Sequence, residues 1–125
     1  MCGLFVMACG KSDLSGTYVC KDIYFSSQTM SPAKIEDWAQ DVREEFLGRR
    51  YTIVQYRDTI WIGYSEEDKE YGNHFKKKSN LEYALVTGDN EIYDKVSAKF
   101  SGNYNTLTLI DHNSRCTVEI ICKKQ

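Results

Sequence analysis

The sequence has one proline and two histidines in 125 residues, no surplus of positive charge and no long apolar run. Each shortage excludes something. Sixteen Lys and Arg stand against 18 Asp and Glu, a formal net charge of −2, so no basic field is present to hold DNA or RNA by counterion release. A transmembrane helix needs about 20 apolar residues in a row, and the longest apolar run, Leu4 to Cys9, is far shorter. His74 and His112 fall in separate segments without His-x-x-x-His or Cys-x-x-Cys spacing, so no metal site is expected. No Gly-x-Ser-x-Gly elbow, P-loop or Gly-x-Gly-x-x-Gly loop occurs. The carboxylate pairs Glu44-Glu45 and Glu66-Glu67 are adjacent, and neighbours in a helix or strand point apart, so they read as solvated faces. Neither an enzyme nor a cofactor is expected. With 42% hydrophobic and 27% charged residues, the chain is long enough for about one folded domain with its own core. Its nine tyrosines suit sheets and apolar pockets.

One helix and eight strands are expected. Ser31 is an N-cap with Pro32 at N1, and Ile35, Trp38, Ala39, Val42 and Phe46 form one apolar stripe closed by Gly48 at C′, which predicts a helix over 32–47. The strands are Thr17–Phe25, Tyr51–Tyr56, Thr59–Tyr64, Glu70–Lys77, Leu81–Val86, Ile92–Phe100, Thr106–Ile110 and Cys116–Lys123, joined by short turns including Arg57-Asp58 and 111–114. With Arg57-Asp58 as a two-residue hairpin turn, residues whose numbers sum to 115 face each other. Tyr51, Ile53, Ile60, Ile62 and Tyr64 then share the inner face, and Trp61 pairs with Val54 outside, where the helix would cover it. Further inward positions are Leu81, Tyr83, Leu85, Ile92, Val96, Ala98, Leu107, Leu109, Val118 and Ile120. Short antiparallel strands with no proline to blunt an edge predict closure into an eight-stranded meander barrel over residues 16–125. Such an interior is filled by side chains or just able to hold one small ligand.

Two resemblances follow. Val6-Met7-Ala8-Cys9 resembles the lipobox of bacterial lipoproteins: a small residue fits the peptidase cleft and the Cys9 thiol takes a diacylglycerol. It implies a truncated signal segment over 1–8, a tether over 9–15 and a protein lipidated at Cys9 on the bacterial cell envelope, held at about 0.8 kcal/mol per buried methylene. The other reading makes Leu4-Phe5-Val6-Met7 a short buried strand. Gly16-Thr17-Tyr18 opening the first strand, a helix after it and a long meander together look like the lipocalin-like (calycin) barrels, some of which are bacterial envelope lipoproteins. That resemblance is architectural and carries over no site residue.

Cysteine spacing adds a constraint. Cys116 and Cys122 lie on one expected strand, about 20 Å apart at 3.3 Å per residue, too far for a bridge, so any disulfide joins Cys20 to Cys122 or Cys116. The alternative is that all three are reduced, small buried residues. The leading expectation is a lipid-anchored, ligand-binding barrel, with Tyr51, Ile53, Ile60, Ile62 and Tyr64 holding a small apolar or amphipathic ligand under the helix as a lid. The competing ones are an immunity or inhibitor lipoprotein that binds a protein through its exposed loops, with acidic 36–45 and 66–70 supplying electrostatic complementarity, or a structural surface domain with a filled barrel. The run Lys76-Lys77-Lys78 reads as a solvated strand end.

Overall fold

The computed structural model describes residues 14–27, 29–113 and 115–125. Eight antiparallel strands close into a barrel: β1 (Gly16–Ser26), β2 (Arg50–Tyr56), β3 (Thr59–Glu66), β4 (Lys69–Ser79), β5 (Glu82–Val86), β6 (Ile92–Phe100), β7 (Thr106–His112) and β8 (Thr117–Lys124). Each strand pairs with the next, and β8 returns to β1 with Tyr18 opposite Lys124 and Ser26 opposite Thr117. The first and last segments are therefore neighbours, and every strand has two. A single helix, α1 (Pro32–Phe46), follows β1.

Local chemistry sets these boundaries. The Ser31 hydroxyl accepts from the Lys34 N–H at 3.4 Å, Pro32 supplies the fixed φ of a first helical turn, and Gly48 takes φ +85° after the C-cap Leu47. Between β2 and β3, Arg57 adopts φ 57°, and the register sums to 115, with Ile53 opposite Ile62 and Val54 opposite Trp61.

The barrel has two ends. At the lower one lie the chain's approach through Leu14, the β2–β3, β4–β5 and β6–β7 turns and the last residues of β8. At the upper one lie α1 and the β3–β4, β5–β6 and β7–β8 turns. The lower half is filled by Tyr18, Cys20, Ile53, Ile60, Tyr83, Phe100, Leu107 and Cys122, all buried. Its aromatic rings meet edge to face, Phe100 lying 5.8 Å from Tyr18 and 6.0 Å from Tyr83. Leu14 closes this end. Its N–H donates to Gln55 Oε1 at 2.7 Å, and its carbonyl accepts from the Tyr18 hydroxyl at 3.0 Å. Among the described residues, no buried side-chain nitrogen or oxygen lacks a hydrogen-bond partner.

Several expectations need correction. Ile92 does not face inward: it is 48% exposed. The register slips between Ala84 and Leu85, which pair with Ser97 and Tyr93, and the residues bulged out of β6 reverse its alternation on the N-terminal side of Val96. Trp61 is on the outer wall opposite Val54, but α1 does not cover it. The indole lies over Gly63 and Gly72, where an added Cβ would collide with it, and α1 packs instead on β1, with Trp38 5.2 Å from Phe25. Asp111 and His112 belong to β7, not to a turn. Of the tether expected over 9–15, residues 9–13 lie outside the described residues, and Leu14 is 3% exposed and part of the lower seal. The signal segment over 1–8 and Cys9 lie outside the described residues.

Candidate functional site

The upper half of the barrel is hollow. A cavity of about 410 Å³ opens there, walled by Ile62, Phe75, Val96, Leu109, Val118 and Ile120, with Tyr51, Tyr64, Tyr71, Asn73 and Asp111 supplying its polar atoms. Strand alternation explains the set. Ile60, Ile62 and Tyr64 point inward from β3, Tyr71, Asn73 and Phe75 from β4, and Leu107, Leu109 and Asp111 from β7. The lower members of each series belong to the buried core, while the upper members line the cavity.

The five expected ligand-binding residues divide along this line. Tyr51, Ile62 and Tyr64 line the cavity. Ile53 and Ile60, 1% and 0% exposed, belong to the filled half below it. Sequence reasoning missed Tyr71, Asn73 and Asp111. Their signal was the period of two: Tyr71, Asn73 and Phe75 alternate with outward residues, and Asp111 continues Leu107 and Leu109. A charged β4 and an acid at a strand end obscured it. The helix α1 sits beside the mouth, with Trp38 and the Arg43 guanidinium on the Phe25 ring, and none of its side chains lines the cavity.

A row of rings forms one rim. Tyr64 stacks on Tyr71 at 5.3 Å and meets Tyr51 edge-on at 5.9 Å. The Arg49 guanidinium is clamped between Phe46 and Tyr64, 4.2 and 4.0 Å from their centroids, and pairs with Glu45 at 3.7 Å and Glu66 at 3.4 Å. Arg49 thus ties the end of α1 to the barrel behind the rim, by cation–π contact on both faces. Burial pushes the Tyr51 hydroxyl up to about 12, against the opposing effect of the nearby Arg49 charge. At neutral pH it is a protonated hydroxyl at the base of the rim.

Below the cavity, Cys20 on β1 stands directly opposite Cys122 on β8, both inward and buried. Cys20, Cys116 and Cys122 are free thiols. Facing residues of an antiparallel pair have Cα atoms about 4.5–5.5 Å apart, within disulfide range. The Cys122 thiol donates to Cys20, which lowers the Cys20 pKa and raises that of Cys122. Cys116 is no candidate partner for Cys20. It precedes Thr117, which faces Ser26, six positions up β1 and about 20 Å away at the rise of a strand.

Among the described residues no cluster of three or more His, Cys, Asp or Glu could hold a metal ion, and no helix is long and apolar enough to cross a membrane. The arrangement is suited to enclosing an apolar group with a few polar contacts near the opening. Compared with known families and with curated proteins, the sequence matches no family model and no curated protein.

Proposed function

We propose that this chain is a non-enzymatic, lipid-anchored protein of the bacterial cell envelope whose barrel holds a small apolar or amphipathic ligand in its upper half. The observation that carries the ligand reading is the cavity of about 410 Å³, apolar in its walls and polar at its rim. Ligand sites are commonly clefts of about 300–1,000 Å³ with a few convergent polar groups. Tyr51, Ile62 and Tyr64 contact the ligand, together with Tyr71, Phe75 and Leu109, and α1 serves as a lid by swinging about Arg49. Ile53 and Ile60 support the floor.

The anchor rests on Val6-Met7-Ala8-Cys9, with Cys9 as the lipidated residue. Leu14 enters at the sealed lower end, so a tether from Cys9 leaves the mouth unobstructed. An exported protein also meets oxidants that could close Cys20 and Cys122 into a disulfide, the two thiols giving two electrons and two protons to an exchanging disulfide, which is reduced to two thiols.

Two measurements test this reading. Titration with the neutral, environment-sensitive dye N-phenyl-1-naphthylamine is expected to show saturable one-site binding that Leu109→Trp, which fills the cavity, abolishes. Absence of saturable binding, or indifference to the filling variant, would overturn the ligand reading. Mass spectrometry of the protein made in a bacterial host with its natural upstream sequence is expected to find Cys9 as a diacylglyceryl-modified N-terminus. An unmodified Cys9 in an uncleaved chain would end the anchor reading.

A further inference from the structure

Resting on the cavity reading above, we infer that the ligand is a cationic amphiphile: an apolar chain carrying an ammonium group, with Asp111 as its counter-ion at the rim. The charge on the cavity wall carries this. Of the residues lining the cavity, Asp111 alone is charged, and no Lys or Arg takes part. Asp111 is on the inward face of β7, opposite Val96 on one side and Val118 on the other, and lines the cavity as an exposed residue at its mouth. Among the described residues no ion pair holds it.

A neutral or anionic amphiphile seated in the mouth would take water from that carboxylate and return no charge, which is unfavourable. An ammonium group would return one. The nearby rings favour the same sign, because aromatic faces attract cations. Tyr71 is stacked on Tyr64 by one face and is 45% exposed, so part of its ring is open to a headgroup.

The cation beside Tyr51 and Tyr64 does not reverse this. Arg49 is enclosed between Phe46 and Tyr64 and already faces two carboxylates, Glu45 and Glu66. It hydrogen-bonds the Tyr51 side chain, but it is held by those rings and carboxylates and is not among the residues lining the cavity.

The wider charge distribution points the same way. The β3–β4 turn beside Tyr64 and Tyr71 carries Glu66, Glu67, Asp68 and Glu70 against Lys69, and the β5–β6 turn at the same end carries Asp89 and Glu91. Arg57, Lys99, Lys123 and Lys124 lie toward the sealed end. Under a net charge of only −2 the barrel is thus polarised along its axis, and such a field concentrates cations at the acidic end.

The test is displacement of N-phenyl-1-naphthylamine, at low ionic strength and below micelle formation, by decyltrimethylammonium, decanol and decanoate, which share a chain and differ in headgroup charge. The ammonium compound is expected to displace the dye at a concentration about fivefold lower than decanol, the scale of a partly exposed charge pair, with decanoate weakest. The gap is expected to shrink as salt is added. Asp111→Asn is expected to bring the ammonium compound and the alcohol to within about twofold of each other, and Asp111→Glu to restore the gap. If decanol or decanoate displaces the dye at least as well as the ammonium compound, or if Asp111→Asn keeps the full preference, the cationic assignment is wrong while the cavity reading stands. If neither the dye nor any decyl compound binds, the cavity reading has failed and this assignment with it.

Discussion

At the level of Leu107 the inward side chains of the barrel are Tyr18, Cys20, Phe100 and Cys122, and they touch. One and two alternations higher, at Leu109 and Asp111, they are Val96, Val118, Ile120 and the rim tyrosines, and they enclose space. The same eight strands build both levels, and the difference lies in what enters from the ends. Below, Leu14 and the hydrogen bonds of Tyr18 and Gln55 close the interior. Above, α1 packs on Phe25 and leaves the remaining mouth open. A barrel of this strand number lies at the boundary between a filled interior and one that holds a small ligand, and here one molecule has both.

The largest expected contrast is in stability. Leu107→Ala, in the filled half, is expected to cost about 3–5 kcal/mol because its neighbours cannot close around the lost volume. Leu109→Ala, whose side chain already borders empty space, is expected to cost about 2 kcal/mol, the low end for this substitution. Urea unfolding of both variants measures this, and equal losses would dissolve the distinction between the halves.

Next in size is the bond that could fasten the closed half. In protein carrying serine at positions 2 and 9, oxidation joining Cys20 to Cys122 is expected to raise stability by about 2–4 kcal/mol, the typical range for a disulfide, and to leave Cys116 as the one thiol that Ellman's reagent titrates after denaturation. Three titratable thiols after oxidation would exclude the bridge.

The outer wall gives a smaller effect. Gly63→Ala places a methyl where the Trp61 ring lies, so the indole must leave. The expected cost is about 1–3 kcal/mol, with a red shift in tryptophan emission. An unchanged spectrum would contradict the packing of Trp61 on glycine.

The smallest effect concerns pH. Tyr51 ionises at about 12 in the folded protein and at its ordinary value of 10.0 when unfolded. Between these values the folded state holds the proton more tightly, so the contribution of Tyr51 to stability is complete below pH 10 and is lost as pH rises toward 12. Tyr51→Phe is expected to flatten the loss over that window, and an identical pH profile in the variant would show that other groups cause it.

Much of this architecture was legible in the residues. Ser31-Pro32 and Gly48 bracket the helix, and the turn at Arg57-Asp58 sets a register that holds from Thr52 to Tyr56. The alternation that identifies inward residues failed at Ile92, because a bulge reverses the phase and leaves no mark in the sequence. It also failed for the rim. A buried strand face advertises itself by apolar residues, but an inward face at an open mouth meets solvent and tolerates Tyr71, Asn73 and Asp111. The floor residues Ile53 and Ile60 were grouped with the wall residues Tyr51, Ile62 and Tyr64, since strand spacing shows which face a side chain takes but not how far along the barrel the filling extends. What closes the filled half is Leu14, brought in from outside the strands.

The most direct test of a hollow half above a solid one is a methyl 1H–13C spectrum recorded while N-phenyl-1-naphthylamine is titrated in. The methyls of Ile62, Val96, Leu109, Val118 and Ile120 are expected to shift with one common saturation curve, while those of Ile53, Ile60 and Leu107 stay in place. Shifts confined to the lower group, or spread over outer residues such as Val54 and Ile92, would contradict it.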